Sequence, residues 1–561
     1  MGTYVNPNSR SMESAVSSKV YVDKTGLLKI LNNSIGTENC HFAVSRARRF
    51  GKSMAAGMID CYYSCGCDSK ERFSPFEIAK DPDYEKHLNK YNVLHFDMAT
   101  YYNRAKKPED IIPMLDRALI KDMAEEFPFL NGSELTDAPD AVNEIYKRTG
   151  RQFVVIIDEY DCIIRDSPYN EELILDYLKY LRGFFKTEES KQFIALAYIT
   201  GILPIKKIKG KSALNNFREY SMTEPGDLVE YFGFTKEEVG QICRDFGISL
   251  KSMEKWYDGY YMYAVSPNGK AVCGEEDADG SVRMVGEDAM RLWHIYNPNS
   301  VVEATLCGRF ISYWKNTGSF ESLQDFIMMN KAGLKDDIVA MLAGIKRPVD
   351  ISSFSNDLSH FKTKDDVLSC LIHMGYLGYD AYTKEAFIPN REVAEVFESA
   401  VKTGDWDDIA DALRNSDALL RAVWQLDGDK VAKAIALSHQ DYSSIINFND
   451  ENSLALAIMV SFYTARQYYS IVREFPAGKG FADIVFIPRE QSMSPVLKGP
   501  VPAVVVELKW NRSARAAIKQ IKDRNYAGAL SGYGGELILV GIYYTKKSKK
   551  YSCRIEKLDS L

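Results

Sequence analysis

Residues 151–161, RQFVVIIDEYD, set the tightest limit on how this chain can fold. The five apolar residues Phe153 to Ile157 are a short run with no polar face, which predicts a strand covered on both sides. Strands of that kind belong to parallel sheets flanked by helices, where ligands gather at the C-terminal strand edge. The acidic pair Asp158-Glu159 falls at that edge. One acid there can hold Mg²⁺, and a second can orient and activate water for phosphoryl transfer.

A partner for this pair lies upstream. HFAVSRARRFGKS (41–53) is an apolar run that breaks into an arginine-rich turn and ends in Gly51-Lys52-Ser53. A strand that stops at Gly-Lys-Ser before a helix predicts a phosphate site. Backbone N–H groups at the helix start face the anion, Lys52 reaches the outer phosphates and the Ser53 hydroxyl ligates Mg²⁺. Arg49 and Gly51 complete the candidate cofactor-binding turn, although the full fingerprint asks for a glycine where Arg46 stands. YNVLHFDMA (91–99) and FIALAYITGI (193–202) read as further buried strands, and EELILDYLKYLRGFF (171–185) reads as a helix. Thr200, at the tip of the last strand, is a candidate γ-phosphate sensor. The alternation predicts a doubly wound parallel α/β sheet of the P-loop NTPase kind over residues 1–222. It would bind an NTP, with Ser53 and Asp158 on Mg²⁺ and Glu159 as the catalytic residue that orients and activates the attacking water.

The polar residues 1–13 are expected to be mobile, and a helix is expected around Leu27, Leu28 and Leu31. Residues 223–440 read as a helical lid or linker, with a helix-then-hairpin order at 346–400 that suits a winged-helix-like piece. Thr235 and Glu238 stand at capping-box spacing. Trp256, Tyr257, Tyr260, Tyr261 and Tyr263 could face a base or nucleotide and are read as core, since aromatics dominate core burial. Ser266 to Gly286 reads as an exposed loop or hairpin, and Leu419 to Ile435 as an amphipathic connector.

Residues 441–561 carry a second constellation. ENSLALAIMVSFYTAR (451–466) reads as a helix, GFADIVFIP (480–488) and PAVVVELKW (502–510) as strands, ARAAIKQIKDRNYAGAL (514–530) as a helix and ELILVGIYY (536–544) as a strand. Glu507 and Lys509 share one strand face because side chains alternate. With Asp483 they can form a metal site, in which the two carboxylates hold Mg²⁺ or Mn²⁺ and the lysine positions or deprotonates a water. Glu451 is a candidate third acid, and Gln520 is placed to brace the lysine or the water.

A net charge of −7 excludes global attraction to nucleic acid, so any such binding needs a local basic face. Lys509, Arg512, Arg515, Lys519, Lys522 and Arg524, with Lys546, Lys547, Lys549 and Lys550 behind them, supply one. There is no apolar run long enough to span a membrane and no signal-peptide pattern, so the expectation is a cytoplasmic protein without a membrane partner. The ten cysteines are scattered, and the cluster Cys61, Cys65 and Cys67 is assigned to packing.

Taken together, VYVDKTGLL, SRARRFGKS, VVIIDEYD, SALNNF (212–217), FGFTKEEV, KWYDGY, YNPNSVV, FADIVF, VVVELKW and QIKDRNYAGAL resemble a bacterial family. Its members join an AAA-ATPase-like region to a PD-(D/E)XK nuclease-superfamily domain of restriction-endonuclease-like fold, and the resemblance covers nearly the whole chain. It implies phosphate and Mg²⁺ roles for Lys52 and Ser53, metal and water roles for Asp158 and Glu159, and a nuclease core of Asp483, Glu507 and Lys509. It tolerates Arg46 at the glycine position. The helix after Glu451 departs from its relatives, which tend to carry an aromatic and a histidine there. The expected function is an ATP-binding and ATP-hydrolysing protein coupled to a Mg²⁺-dependent nuclease, with oligomeric assembly open. The alternative is a nucleotide-gated scaffold or switch that binds nucleic acid or protein partners without cleavage.

Overall fold

The computed structural model describes residues 2–558 apart from 8–9, 132–133, 206–213, 266–289, 315–318, 330, 353, 355–357, 404–405, 443–454, 456–457, 478–479, 490–491, 511–512, 525–535 and 546–549. Glu451, the Ser266–Gly286 segment, Arg512, Lys546, Lys547 and Lys549 therefore lie outside the described residues. The chain divides into two units, Met1–Thr317 with Pro348–Val393, and Gly318–Arg347 with Ala394–Leu561.

The first unit is built on strands β1 (His41–Ser45), β2 (Asn92–Asp97), β3 (Phe153–Asp158), β4 (Ile194–Gly201) and β5 (Arg218–Tyr220). All neighbours run parallel, in the order β2-β3-β4-β1-β5. Alternation assigns the two faces. Val44, Val154, Ile156, Leu196 and Tyr198 pack against Ile59, Tyr62 and Tyr63 of the helix Lys52–Tyr63, together with Leu27, Leu28 and Leu31. Val155, Ile157, Ala197 and Ile199 pack on the other face against the helices Ile111–Glu126, Ala138–Thr149 and Glu171–Phe185. Helices on both faces make the sheet doubly wound, and β3 and β4 are buried along their whole length.

Strand order has a consequence for function. Because β4 lies between β1 and β3, the loop leaving β1 and the acids leaving β3 flank the tip of β4 at Thr200.

The start of the chain corrects the expectation of mobility. The Asp122 carboxylate accepts the backbone N–H groups of Thr3, Tyr4 and Val5, each at 2.8 Å, and Val5 is fully buried and bridges to Leu94. Three N–H bonds to one charged acceptor hold a segment that its own composition would not. Further along, Asp23 accepts from Thr25 N and Glu77 N, both at 2.9 Å, and Lys24 pairs with Glu238 at 2.7 Å.

Strands β6 (Phe234–Thr235), β7 (Tyr260–Val265) and β8 (Met290–Tyr296) form a small antiparallel sheet in the order β6-β8-β7. The Thr235–Glu238 capping box is formed and opens the helix Lys236–Phe246. Tyr257 and Tyr260 are core residues, whereas Tyr261 and Tyr263 are half-buried. The short strand β9 (Arg347–Pro348) is followed by the helix Lys364–Met374 and a hairpin of β10 (Gly378–Asp380) and β11 (Glu385–Phe387). The expected connector at 419–435 is two helices, Asp407–Trp424 and Gly428–Tyr442, broken beside Leu426 in the left-handed region at φ 60.

The second unit is centred on β12 (Tyr469–Ala477), β13 (Gly480–Pro488), β16 (Ala503–Trp510), β17 (Leu537–Thr545) and β18 (Lys550–Leu558), hydrogen-bonded in that order. The two-residue strands β14 (Met493–Ser494) and β15 (Gly499–Pro500) pair as a minor hairpin between β13 and β16. Only β16 and β17 run parallel, and the helix Ala514–Asp523 makes their crossover. Its Ile518 and Ile521 pack on Val505 and Leu539. Gly541 lets it sit close, since a Cβ there would be 2.6 Å from the Ala514 carbonyl oxygen. Sequence patterning missed β12 and β18. Both are edge strands, and β18 alternates exposed with half-buried residues, so neither contains the apolar run that marks a strand covered on both faces.

Candidate functional site

At the tip of β1 the chain turns through Arg49 (φ 68) and Gly51 (φ 88), two left-handed residues that bend the loop back onto the helix Lys52–Tyr63. Ala47 and Phe50 are buried among Met222, Val229, Tyr260, Trp293 and Ile295, which leaves Arg48 and Arg49 exposed. Lys52 is folded into this loop, where its Nζ donates to the carbonyls of Arg46 (3.0 Å) and Ala47 (3.1 Å). Burial pushes the Lys52 pKa down, while Glu159, Asp158 and Asp161 nearby act in the opposite direction.

Arg46 explains how the loop does without its first glycine. The side chain turns inward and is fully buried, donating from Nη1 to the Ser45 carbonyl at 3.1 Å, with the guanidinium 5.6 Å from the Phe232 ring centroid. It fills core space instead of the outer side of the loop. Burial lowers its pKa to about 9.

Across the sheet edge, Asp158 is buried, and burial raises its pKa while hydrogen bonding from Ser53 and the charge of Lys52 oppose the rise. The structure thus brings Lys52, Ser53, Asp158 and Glu159 together. Thr200 is fully buried, and its Oγ1 has no hydrogen-bond partner among the described residues. Glu159 sits in the left-handed region at φ 50, and its carboxylate pairs with Arg165 at 3.1 Å. Sequence reading missed Arg165 and also Asp161, which accepts from Ile202 N and Leu203 N. The signal available was a third acid in DEYD with an arginine one helical turn later. Glu392, also missed, is buried and accepts from Tyr313 N at 2.7 Å. Burial raises its pKa to about 7, partly offset by hydrogen bonds and by the charge of Arg49.

In the second unit Glu507 points from β16 toward the helix Ala514–Asp523 and is fully buried. Its Oε1 accepts from Lys509 Nζ at 2.8 Å and from Gln520 Nε2. Gln520 thus reaches the carboxylate rather than bracing the lysine. Oε2 has no hydrogen-bond partner among the described residues. Burial pushes the Glu507 pKa up to about 7; the neighbouring Asp483 adds to the rise, and Lys509 opposes it. Asp483 is anchored by the Leu508 N–H, which donates to its Oδ2 at 2.6 Å.

Two nearby acids, one with an orphaned buried oxygen, suit a hard cation whose remaining positions are filled by water and phosphate oxygens. Outside this nest the basic face is partly neutralised, since Lys522 pairs with Glu556 at 2.6 Å, while Arg515 and Lys519 are exposed.

A nucleotide-type loop on a parallel sheet and an acid–acid–lysine nest beside a parallel crossover define two classes of domain in one chain. The comparisons with known proteins match them in that order. Residues 13–209 match a family described as a predicted AAA-ATPase, and residues 449–553 match the PD-(D/E)XK nuclease superfamily. The chain joins an AAA-ATPase-like region to a PD-(D/E)XK nuclease-superfamily region.

It is 22% identical over 317 residues to an uncharacterized protein in the vnfD 5′ region of Azotobacter chroococcum mcd 1. The match covers 56% of this chain and 53% of that protein, so the chain spans about half the length of this relative. Among solved structures, the Aeropyrum pernix ORC2 protein, determined as ADPNP–ADP complexes, is similar at a TM-score of 0.27 and 11% identity, over 70% of this chain and 97% of that one. Among the described residues no helix is long and apolar enough to cross a membrane.

Proposed function

We propose that the chain binds and hydrolyses ATP at the β1–β3–β4 edge and cleaves nucleic-acid phosphodiesters at the Asp483–Glu507–Lys509 nest, the second activity being gated by the first. One observation carries the nuclease reading. Glu507 is a fully buried carboxyl whose Oε1 is held by Lys509 and Gln520, while Oε2 has no hydrogen-bond partner among the described residues. A buried acid with an unmet oxygen is unfavourable in a purely structural role and supports a cation site here.

Asp483 and Glu507 would hold that cation, Mg²⁺ or Mn²⁺, which supplies Lewis-acid stabilisation of the scissile phosphate when bound. Lys509 keeps Glu507 oriented and places a proton-handling ammonium beside the attacking water. At the N-terminal site, Lys52 would exchange its two carbonyl partners for phosphate oxygens. Ser53 and Asp158 would hold Mg²⁺ there, Thr200 would meet the γ-phosphate, and Arg49 would stay at the outer face of the turn. Arg515 and Lys519 offer charge to a nucleic-acid backbone.

The test is cleavage of labelled single- and double-stranded DNA and RNA with Mg²⁺ or Mn²⁺, with and without ATP. It uses the unaltered chain, Lys52→Ala and Glu507→Ala. Cleavage lost in Glu507→Ala and made independent of ATP or abolished in Lys52→Ala is the expected result. Cleavage that survives Glu507→Ala removes the assigned site, and binding without cleavage under every condition supports a nucleotide-gated switch.

A further inference from the structure

We infer that Arg165, fixed by Asp161, is the positioning residue that holds Glu159 ready to activate water at the N-terminal site. The inference rests on the reading of that site as an ATPase and adds the device that orients its acid. Glu159 is a side chain with three rotatable bonds at a sheet edge, and left alone it would sample many rotamers. Arg165 removes that freedom by donating from Nη1 to Glu159 Oε2 at 3.1 Å. The arginine is itself immobile. Its side chain is only 7% exposed, the same Nη1 lies 3.4 Å from both Asp161 oxygens, and Nε and Nη2 bind Asp166 at 2.9 and 3.1 Å.

Asp161 extends the fixation to the neighbouring strand. It is 1% exposed, and its Oδ2 accepts the N–H groups of Ile202 (3.0 Å) and Leu203 (2.9 Å), the turn that follows β4. Tyr160 N donates to the Thr200 carbonyl at 3.1 Å, a second bond between the same two loops. Arg165 and Asp161 therefore join the loop that carries Glu159 to the strand tip that carries Thr200. The hub fixes the loop backbone against the strand tip, and the Arg165 bond fixes the Glu159 rotamer upon it.

The geometry also selects an oxygen. Arg165 occupies Oε2, and among the described residues no hydrogen bond falls on Oε1. Oε1 is the oxygen presented to water. In hydrolysis the water oxygen bonds to the γ-phosphorus as the bond to the β–γ bridging oxygen breaks, and the water proton passes to Oε1. Three carboxylates on one guanidinium exploit a planar fork that an ammonium reproduces only in part.

The experiment measures steady-state ATP hydrolysis and fluorescent-ATP binding by the full chain, Lys52→Ala, Arg165→Gln, Arg165→Lys, Glu159→Gln and the double variant Glu159→Gln/Arg165→Gln. Displacing a positioned group predicts that Arg165→Gln lowers kcat about a hundredfold with KM and ATP affinity held within about twofold. Arg165→Lys recovers part of kcat, and the double variant is no slower than Glu159→Gln alone, because both act on one group. Unchanged kcat in Arg165→Gln, or affinity falling with kcat in both Arg165 variants as for a structural strut, overturns the inference. Hydrolysis that requires Lys52 but ignores Arg165 overturns the positioning role alone. No hydrolysis by the unaltered chain, or hydrolysis that persists in Lys52→Ala, overturns the ATPase reading and the positioning role with it.

Discussion

The loop at Lys52 and the nest at Glu507 differ in how their polar atoms stand before a ligand arrives. At the first, the charged group that would meet the ligand, Lys52, is bonded to two loop carbonyls and must exchange partners, while the neutral Thr200 Oγ1 is unmet among the described residues. At the second, Glu507 Oε2 is buried with no hydrogen bond among the described residues, and a ligand completes what is missing. Exchange is close to neutral in hydrogen-bond energy and suits a site that binds and releases. An unmet buried oxygen costs roughly 1–3 kcal/mol and favours whatever fills it. The contrast fits the proposed nucleotide turnover in one unit and the proposed cation site in the other.

The largest expected effect separates the sites directly. Mn²⁺ affinity of the full chain, followed by titration calorimetry without nucleotide, should fall at least about a hundredfold in Glu507→Gln and stay unchanged in Lys52→Ala. An equal loss in both variants would break the contrast.

A pH series sharpens the N-terminal side. Glu392 has its pKa raised to about 7, so the folded state holds the proton more tightly than the unfolded chain. The cost of this burial is absent below the unfolded value, grows as pH rises and is complete above about 7. In urea unfolding, the stability advantage of Glu392→Gln over the unaltered chain should grow by up to about 3 kcal/mol between about pH 5 and pH 8. A flat difference would remove Glu392 as a buried acid.

The smallest effect probes the seat of the nest. Gly541→Ala places a methyl 2.6 Å from the Ala514 carbonyl oxygen and 3.0 Å from the Ala517 Cβ. It should cost about 1–3 kcal/mol by overpacking. Because Gln520 is carried on the same helix, Mn²⁺ affinity should fall with stability, whereas ATP affinity should not. A loss of stability with unchanged Mn²⁺ affinity would detach Gln520 from the site.

Much of the scaffold was legible from the residues, and the misses follow a rule. β3, β4, β16 and the Ile484–Phe486 core of β13 announce themselves as apolar runs because they are buried on both faces. The edge strands β12 and β18 do not, since a half-covered strand keeps its polar residues. The N-terminal segment was misread because its order comes from Asp122, more than a hundred positions away in the chain. Lys52, Asp158, Asp483 and Glu507 stand out as charges at the ends of apolar runs. Asp161 and Arg165 offer only their helical spacing, and nothing in the local sequence of Glu392 says what it touches.

The sequence by itself determined which apolar runs become the buried strands and helices and where the charged residues fall along them, because hydrophobic periodicity is a local property of the chain. Only the tertiary structure decided that β4 is inserted between β1 and β3, that Arg46 turns inward in place of a glycine, that Arg165 holds Glu159 and that Gln520 reaches Glu507. Those are relations between side chains distant in sequence or turned by their surroundings, fixed by packing and by the need to satisfy buried polar groups.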